Sequence, residues 1–297
     1  MLNKEPKTLI IGNFDGVHIG HQALVDYARG IAGETGAKLS VLTFRPHPRE
    51  VILDKKINLI LPYEEKINLL KKLSVDEIDE IKFNKVVSKM SPEAFVEEFL
   101  IARHNPTNII VGKNFRFGFK ASGDIKTLEE LGSSHYKVHA IDIEEMSEEK
   151  VSSTLIKKLL IKGEVSKVNK FLGRNYFLSG EVVQGEKRGR ELGFPTTNLS
   201  TIWRFLPRSG VYVTYINYNN RKLKGITNIG YRPTFGKKDL LIESHIFDFN
   251  EYIYGEQINI EFIERIRSEK KFDSVDNLIE NIKKDVKFAQ KFFEDGK

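Results

Sequence analysis

The chain has 297 residues, of which 40% are hydrophobic and 30% charged, with a net charge of +6. That balance belongs to a soluble globular protein of one large or two ordinary domains. Cysteine is absent, which excludes disulfide scaffolds, thiolate nucleophiles and Cys-ligated zinc. No apolar run approaches the roughly 20 residues of a membrane helix, and no signal-peptide core precedes Thr8, so a cytoplasmic location without membrane contact is expected.

Taken in chain order, the first half alternates strand and helix patterns. Thr8-Leu9-Ile10-Ile11 reads as a buried strand and runs into the turn-rich Gly12-Asn13-Phe14-Asp15-Gly16. A helix follows with Ala23, Leu24, Tyr27, Ala28 and Ile31 on one face. Leu39 to Phe44 is the next strand, and Pro62 opens a helix whose apolar face carries Ile67, Leu70 and Leu73. Ser91-Pro92 is an N-cap and first-turn pair for a helix through Phe95, Phe99 and Leu100. Asn108 to Val111 is a third strand and Val138 to Ile143 a fourth. Such alternation predicts a mostly parallel α/β sheet with right-handed crossovers. Ser152-Ser153-Thr154 then caps a helix through Leu160, and a short helix from Val165 to Leu172 stops at Gly173. From 176 to 265 the pattern becomes all-β, with runs such as Val211–Ile216 and Ile242–Ile246 and the turn Asn219-Asn220. An antiparallel barrel or sandwich is expected, closed by a terminal helix over about 275–293. The domains predicted are 1–173 and 174–297.

Chemistry concentrates in two stretches. Gly12-Asn13-Phe14-Asp15-Gly16-Val17-His18-Ile19-Gly20-His21 lies where a strand meets a helix, the usual ligand edge of a parallel sheet. Free N–H groups and the helix dipole suit a phosphate there, and Gly12, Gly16 and Gly20 let backbone approach it. His18 and His21, three apart, can face one point and stabilise charge on a transferred phosphoryl group. As a bland alternative, they are two surface histidines in a glycine-rich turn. In the second half, Gly180 to Leu199 holds glycines that include Gly185 and Gly193, with Lys187, Arg188 and Arg190, before Pro195-Thr196-Thr197-Asn198. Thr196 and Asn198 share one side of an extended segment, and their oxygens suit Mg²⁺ beside nucleotide phosphates. The bland alternative here is a long polar hairpin. Glu243 sits within an apolar strand run, placed as a general base for a hydroxyl or else simply facing outward.

These strings resemble known families. His18-Ile19-Gly20-His21 is similar to the HxGH signature of nucleotidyltransferases, shared with class I aminoacyl-tRNA synthetases. Lys89-Met90-Ser91-Pro92 is not the second synthetase signature, because the lysine after the serine is missing and Ser91-Pro92 is a helix cap. Together with Thr43-Phe44-Arg45-Pro46-His47-Pro48, Val111 to Gly118 and Val151-Ser152-Ser153-Thr154, the string resembles the FMN adenylyltransferase module of prokaryotic bifunctional FAD synthetases. The resemblance implies a Rossmann-like domain in which Gly12, Asn13, Asp15, His18, Gly20 and His21 handle the ATP phosphates and metal. It also places His47 and Asn114 near flavin or adenine, and Ser153, Thr154 and Lys157 at the phosphates. Pro195-Thr196-Thr197-Asn198, Glu243, Tyr254-Gly255, Arg265-Ile266-Arg267 and Lys271-Phe272 resemble the riboflavin kinase module of the same enzymes. That implies a β-barrel in which Thr196 and Asn198 hold Mg²⁺-ATP and Glu243 activates the ribityl 5′-hydroxyl. Gly185, Lys187, Arg190 and Gly193 would fold over the nucleotide, with Arg267 at the flavin.

The resemblance therefore implies phosphorylation of riboflavin to FMN and adenylylation of FMN to FAD, with ATP as co-substrate, Mg²⁺ as cofactor and only small molecules as partners. Two family arginines are replaced by Lys150 and Lys157, which keep the charge but lose the planar fork. A riboflavin kinase with a weak or idle adenylyltransferase module is the alternative reading. A nucleic-acid binder would draw on the +6 charge and the basic loop, but helix-turn-helix, RNP and zinc-finger patterns are missing. No feature of the sequence assigns an oligomeric state.

Overall fold

A computed structural model describes residues 5–142, 151–185, 188–203, 205–234 and 237–296. Contacts divide the chain into two compact units, Met1–Ser153 and Thr154–Lys297.

The first unit holds a parallel sheet of five strands: β1 (Lys7–Ile11), β2 (Lys38–Arg45), β3 (Glu77–Lys82), β4 (Pro106–Gly112) and β5 (Lys137–Ile141). Their order is β3-β2-β1-β4-β5 and every pairing is parallel. The order reverses between β1 and β4, the point where such sheets open a ligand crevice. Helix α1 (Ile19–Thr35) packs on β1, β2 and β4, and Gly36 ends it in the left-handed conformation. Its buried residues are Gly20, Leu24, Val25, Ala28 and Ala32, so the apolar face is rotated from the one the sequence suggests, and Tyr27 lies exposed. Short α2 (Pro48–Ile52) and α3 (Tyr63–Lys72) follow β2. Helix α4 (Pro92–Phe95), capped by Ser91 through its hydroxyl, runs into a π-helical turn at Val96–Ala102. Phe95, Phe99 and Leu100 of that segment pack on Leu9, Ile11, Leu42 and Ile109, beside α5 (Ile125–Gly132). Strand β3 was not expected: Glu-Ile-Asp-Glu-Ile-Lys has little strand character, and only Ile81 is fully buried. It is an edge strand whose acids are neutralised by Lys7, Arg103 and Arg45.

Helices α6 (Ser153–Lys162) and α7 (Val165–Leu172) lead into the second unit, where Leu160 O accepts the Arg208 N–H at 2.9 Å and α7 packs on the barrel. Six antiparallel strands close that barrel in the order β10-β7-β6-β11-β8-β9. They are β6 (Tyr176–Val183), β7 (Thr197–Ser200), β8 (Gly210–Tyr218), β9 (Arg221–Thr234), β10 (Lys237–Ile246) and β11 (Gln257–Arg267). Asn219 and Asn220 have φ of 47° and 59°, the two-residue hairpin that their sequence announces. Alternation along the strands splits the core in two. Tyr176, Tyr212 and Phe262 fill the lumen, joined by a chain of buried hydroxyls, Thr214 to Thr227 at 2.9 Å and Thr227 to Ser244 at 2.8 Å. Outside the wall, Val211, Val213 and Ile226 pack with Ala289 of the terminal helix α9 (Val275–Glu294), whose N-cap is Ser274. A single turn, α8 (Arg188–Glu191), interrupts the glycine-rich loop. Among the described residues no helix is long and apolar enough to cross a membrane.

Candidate active sites

In the first unit the glycine-rich string forms the loop between β1 and α1. Its backbone is held in rarely used conformations: Phe14 at φ 52°, Gly16 at 92° and the β-branched Val17 at 43°. Non-glycine residues persist there only when their surroundings over-determine them. Here Phe14 and Val17 are 1% and 2% exposed, and a Cβ on Gly16 would stand 2.9 Å from Ile60. The Asp15 carboxylate accepts the Ile60 N–H at 2.8 Å, and the Asp15 carbonyl accepts the Ser153 hydroxyl at 2.8 Å. His18 is the N-cap of α1, and its side chain does not bond the first-turn N–H groups. Its ring stacks on that of His21, with centroids 3.6 Å apart and planes 18° apart. The three-residue spacing thus brings both imidazoles to one point at the positive end of a helix dipole. Gly20 is buried in the first turn.

A narrow cavity beside this loop is lined by Asn13, Asp15, His47, Tyr63 and Lys66. His47 is fixed from two sides. Its N–H donates to Tyr63 Oη at 2.7 Å, and its Nδ1 accepts the Arg49 N–H at 3.2 Å. Tyr63 in turn donates to Glu50 at 2.8 Å, and burial pushes its hydroxyl pKa up. Asn114 is exposed just past β4, and does not line that cavity. Thr154 is exposed and Lys157 half-buried on the first two turns of α6. Lys150 lies outside the described residues.

In the barrel, register assembles the second site. Asn198 of β7 faces Glu243 of β10, Glu243 faces Asn228 of β9, Asn228 faces Val211 of β8, and Val211 faces Arg267 of β11. Directly paired residues project to the same side of a sheet. Three residues expected from the sequence, Asn198, Glu243 and Arg267, therefore share one row on the outer wall, and Asn228 joins them. Ile242 and Ser244 point into the lumen, so Glu243 faces outward as alternation allows, but into a cavity of about 320 Å³. That cavity is also lined by Thr196, Phe194, His245, Phe272 and Ile282. His245 accepts or donates at Pro195 O, 2.8 Å away, and stacks edge-on against Phe194. Arg267 is held by Asp285 of α9 through Nε and Nη2, at 2.8 to 3.0 Å.

The glycine-rich loop packs against the same strand residues. A Cβ on Gly185 would fall 2.1 Å from Asn198 Nδ2, and one on Gly189 would fall 2.4 Å from Phe194 O and 3.1 Å from Thr196 Oγ1. Only glycine permits that approach. Gly193 turns the chain at φ 82° after α8. Thr196 and Arg190 also line a second cavity, of about 170 Å³, with Phe249, Asn250, Tyr252 and Tyr254. Thr196 thus stands between two cavities, one walled by aliphatic and aromatic groups near Glu243 and one rimmed by polar groups and Arg190. Lys187 lies outside the described residues. Among the described residues, no three His, Cys, Asp or Glu side chains gather to hold a metal. The neutral oxygens of Thr196 and Asn198, backed by the glycine cradle, fit Mg²⁺, which takes few protein ligands and shares phosphate oxygens.

Tyr63, Lys66, Asn228 and Asp285 were not foreseen. Asn228 does lie in the quoted string Gly225–Phe235, but nothing local marks it; its place follows from pairing with Glu243.

Comparison with known proteins assigns a family to each of the two units. The FAD synthetase family profile matches residues 2–155 and the riboflavin kinase profile residues 172–293. The bifunctional riboflavin kinase/FMN adenylyltransferase of Bacillus subtilis (strain 168) is 39% identical over 294 residues, spanning 96% of this chain and 92% of that protein. That of Listeria monocytogenes is 36% identical over 97% of this chain and 92% of its own, and that of Escherichia coli (strain K12) 30% identical over 98% and 94%. This chain belongs to the bifunctional riboflavin kinase/FMN adenylyltransferase family. A crystal structure described as a macrolide-efflux protein from Streptococcus pneumoniae superimposes with a TM-score of 0.87 at 29% identity, over 98% of this chain and 95% of that one. The chain accordingly carries both modules of the family, an α/β nucleotidyltransferase and a β-barrel kinase.

Proposed function

We propose that this protein makes FAD from riboflavin in two ATP-dependent steps, one in each module, with the boundary between the modules drawn along the sequence near Gly173. In the barrel, riboflavin occupies the cavity beside Glu243 and ATP the one rimmed by Arg190 and Tyr254, with Thr196 between them. Glu243 accepts the proton of the ribityl 5′-hydroxyl as that oxygen attacks the γ-phosphorus, and ADP leaves. Thr196 and Asn198 would hold Mg²⁺, which when bound neutralises charge on the triphosphate. Gly185 and Gly189 let the loop close over the phosphates. The row Asn198, Glu243, Asn228 and Arg267 carries this reading, since it sets a carboxylate, metal-type oxygens and a flavin-sized cavity side by side.

In the first unit, a phosphate oxygen of FMN attacks the α-phosphorus of ATP and pyrophosphate leaves. Gly12, Asn13, Asp15 and Gly20 shape the anion site, while His18 and His21 stabilise the developing charge. Ser153, hydrogen-bonded to the Asp15 carbonyl, ties the start of α6 to that loop. His47 and Asn114 would make the contacts to flavin or adenine. Both reactions depend on positioning more than on covalent chemistry.

The test is incubation of the protein with riboflavin, ATP and Mg²⁺, with flavins separated over time. FMN that rises and is then replaced by FAD is the expected result. FMN accumulating without FAD, even on addition of FMN and reductant, would leave a kinase with an idle first module, the outcome the lysines at 150 and 157 make worth watching for. No conversion would overturn the reading.

A further inference from the structure

Helix α3 does more than pack. Its buried residues are Leu70 and Lys66, the latter only 4% exposed. Lysine is almost never placed so deep unless its charge is matched. Lys66 Nζ donates to the buried Thr43 hydroxyl at 2.9 Å and lies 3.8 Å from Glu80. Glu80 accounts for part of that charge; Arg45 stands 3.8 Å from the same carboxylate but pairs more closely with Glu64, at 2.6 Å. A second carboxylate lining the same narrow cavity is Asp15, itself 8% exposed and anchored to Ile60 N–H. Burial pulls the Lys66 pKa down to about 8, against the opposing pull of Glu80 and Asp15. A desolvated cation with named charge partners, in a cleft, marks a functional position. One turn earlier on α3, Tyr63 pins the His47 backbone. One helix thus presents two side chains to the loops on which adenylyl transfer depends.

We propose that Lys66 is a positioning residue for adenylyl transfer, its ammonium holding the Asp15 carboxylate and with it the strained loop that receives the ATP phosphates. This rests on reading Gly12–His21 as the adenylyl-transfer site, so the experiment must separate the two ideas. Adenylyl transfer and riboflavin phosphorylation are measured on the same full-length variants, with kcat and KM for ATP and FMN. Lys66→Met is expected to lower kcat for FAD formation at least tenfold, with riboflavin phosphorylation within twofold of the parent. Lys66→Met with Glu80→Gln removes both charges of the neighbouring pair and so keeps the fold neutral there. It is expected to remain as slow as Lys66→Met, because the ammonium beside Asp15 is still missing. Recovery of FAD formation in that double variant would reduce Lys66 to a counter-ion of Glu80 and overturn the proposal. So would a Lys66→Met protein with parental kcat and KM while His21→Ala is inactive. If His21→Ala itself forms FAD at the parental rate, the site reading falls, and this proposal falls with it.

Discussion

Removing the Asp285 carboxylate tests how the barrel site is built. Asp285 is 4% exposed, and its oxygens take Nε and Nη2 of Arg267 at 2.8 to 3.0 Å. Arg267 Nη1 donates to Ser268 O at 3.0 Å, and the guanidinium lies over the Phe272 ring at 5.6 Å. Asp285→Asn preserves volume but leaves the guanidinium uncompensated in the cavity wall. Breaking a buried pair this way costs about 3–5 kcal/mol. The Arg267 side chain is 17% exposed, and water recovers part of that, which favours the lower end. For a domain near 150 residues, about 3 kcal/mol lowers the melting midpoint by roughly 6–12 °C. The assay is unusually clean, because the chain has one tryptophan, Trp203, buried in the second unit. Its fluorescence therefore follows the barrel alone. Below the midpoint, KM for riboflavin is expected to rise about tenfold while KM for ATP and the adenylylation of FMN stay within twofold. Replacing both partners, Arg267→Leu with Asp285→Met, should recover most of the stability, since apolar pairs often match or exceed buried ion pairs. It should not recover riboflavin affinity. A midpoint drop under about 2 °C for Asp285→Asn, or parental riboflavin KM in the double variant, would refute the argument.

Glu243→Gln should lower riboflavin phosphorylation by about 10²–10⁴, the usual contribution of a general base, with both KM values nearly unchanged in initial-rate assays. Gly185→Ala places a methyl 2.1 Å from Asn198 Nδ2, so KM for ATP in the kinase reaction should rise several-fold with Trp203 fluorescence unaltered. Lys66 has a folded pKa of about 8 against an ordinary value of 10.5. Between those pH values the unfolded chain keeps a proton that the folded chain has lost, so stability of the first unit rises with pH across that window. Pulse proteolysis in urea, scored on the N-terminal fragment, should show that rise in the parent and a flatter one in Lys66→Met.

Much of this was legible because the signals are local. A strand running into Gly-Asn-Phe-Asp-Gly, a Ser-Pro helix start, a glycine helix stop at 173 and an Asn-Asn hairpin each depend on a few adjacent residues. What stayed hidden depends on partners far along the chain. Strand β3 is stabilised by cations from β1, β2 and the segment before β4, so its own composition argues against it. Lys66 sits at a polar gap in the apolar face of α3, and only the fold reveals that the gap opens on the loop between β1 and α1. The apolar face of α1 was misplaced because Tyr27 counts as apolar, yet its hydroxyl reaches His139 at the surface.

The location of the barrel site follows from what fills the lumen. Tyr176, Tyr212 and Phe262, with the Thr214, Thr227 and Ser244 hydroxyl chain, occupy the inside of the barrel. Every second residue then faces outward, and the outer wall must be covered where it is apolar. Helix α9 covers Val211, Val213 and Ile226, and next to that contact the same row of the wall turns polar, through Asn228, Glu243 and Asn198. The cavity lies at this border between apolar cover and polar row. A flavin ring needs the first and a phosphoryl transfer needs the second. Asp285, reaching from the covering helix to Arg267 at the end of the row, joins the two, which is why its loss should be felt in riboflavin affinity before it is felt in ATP binding.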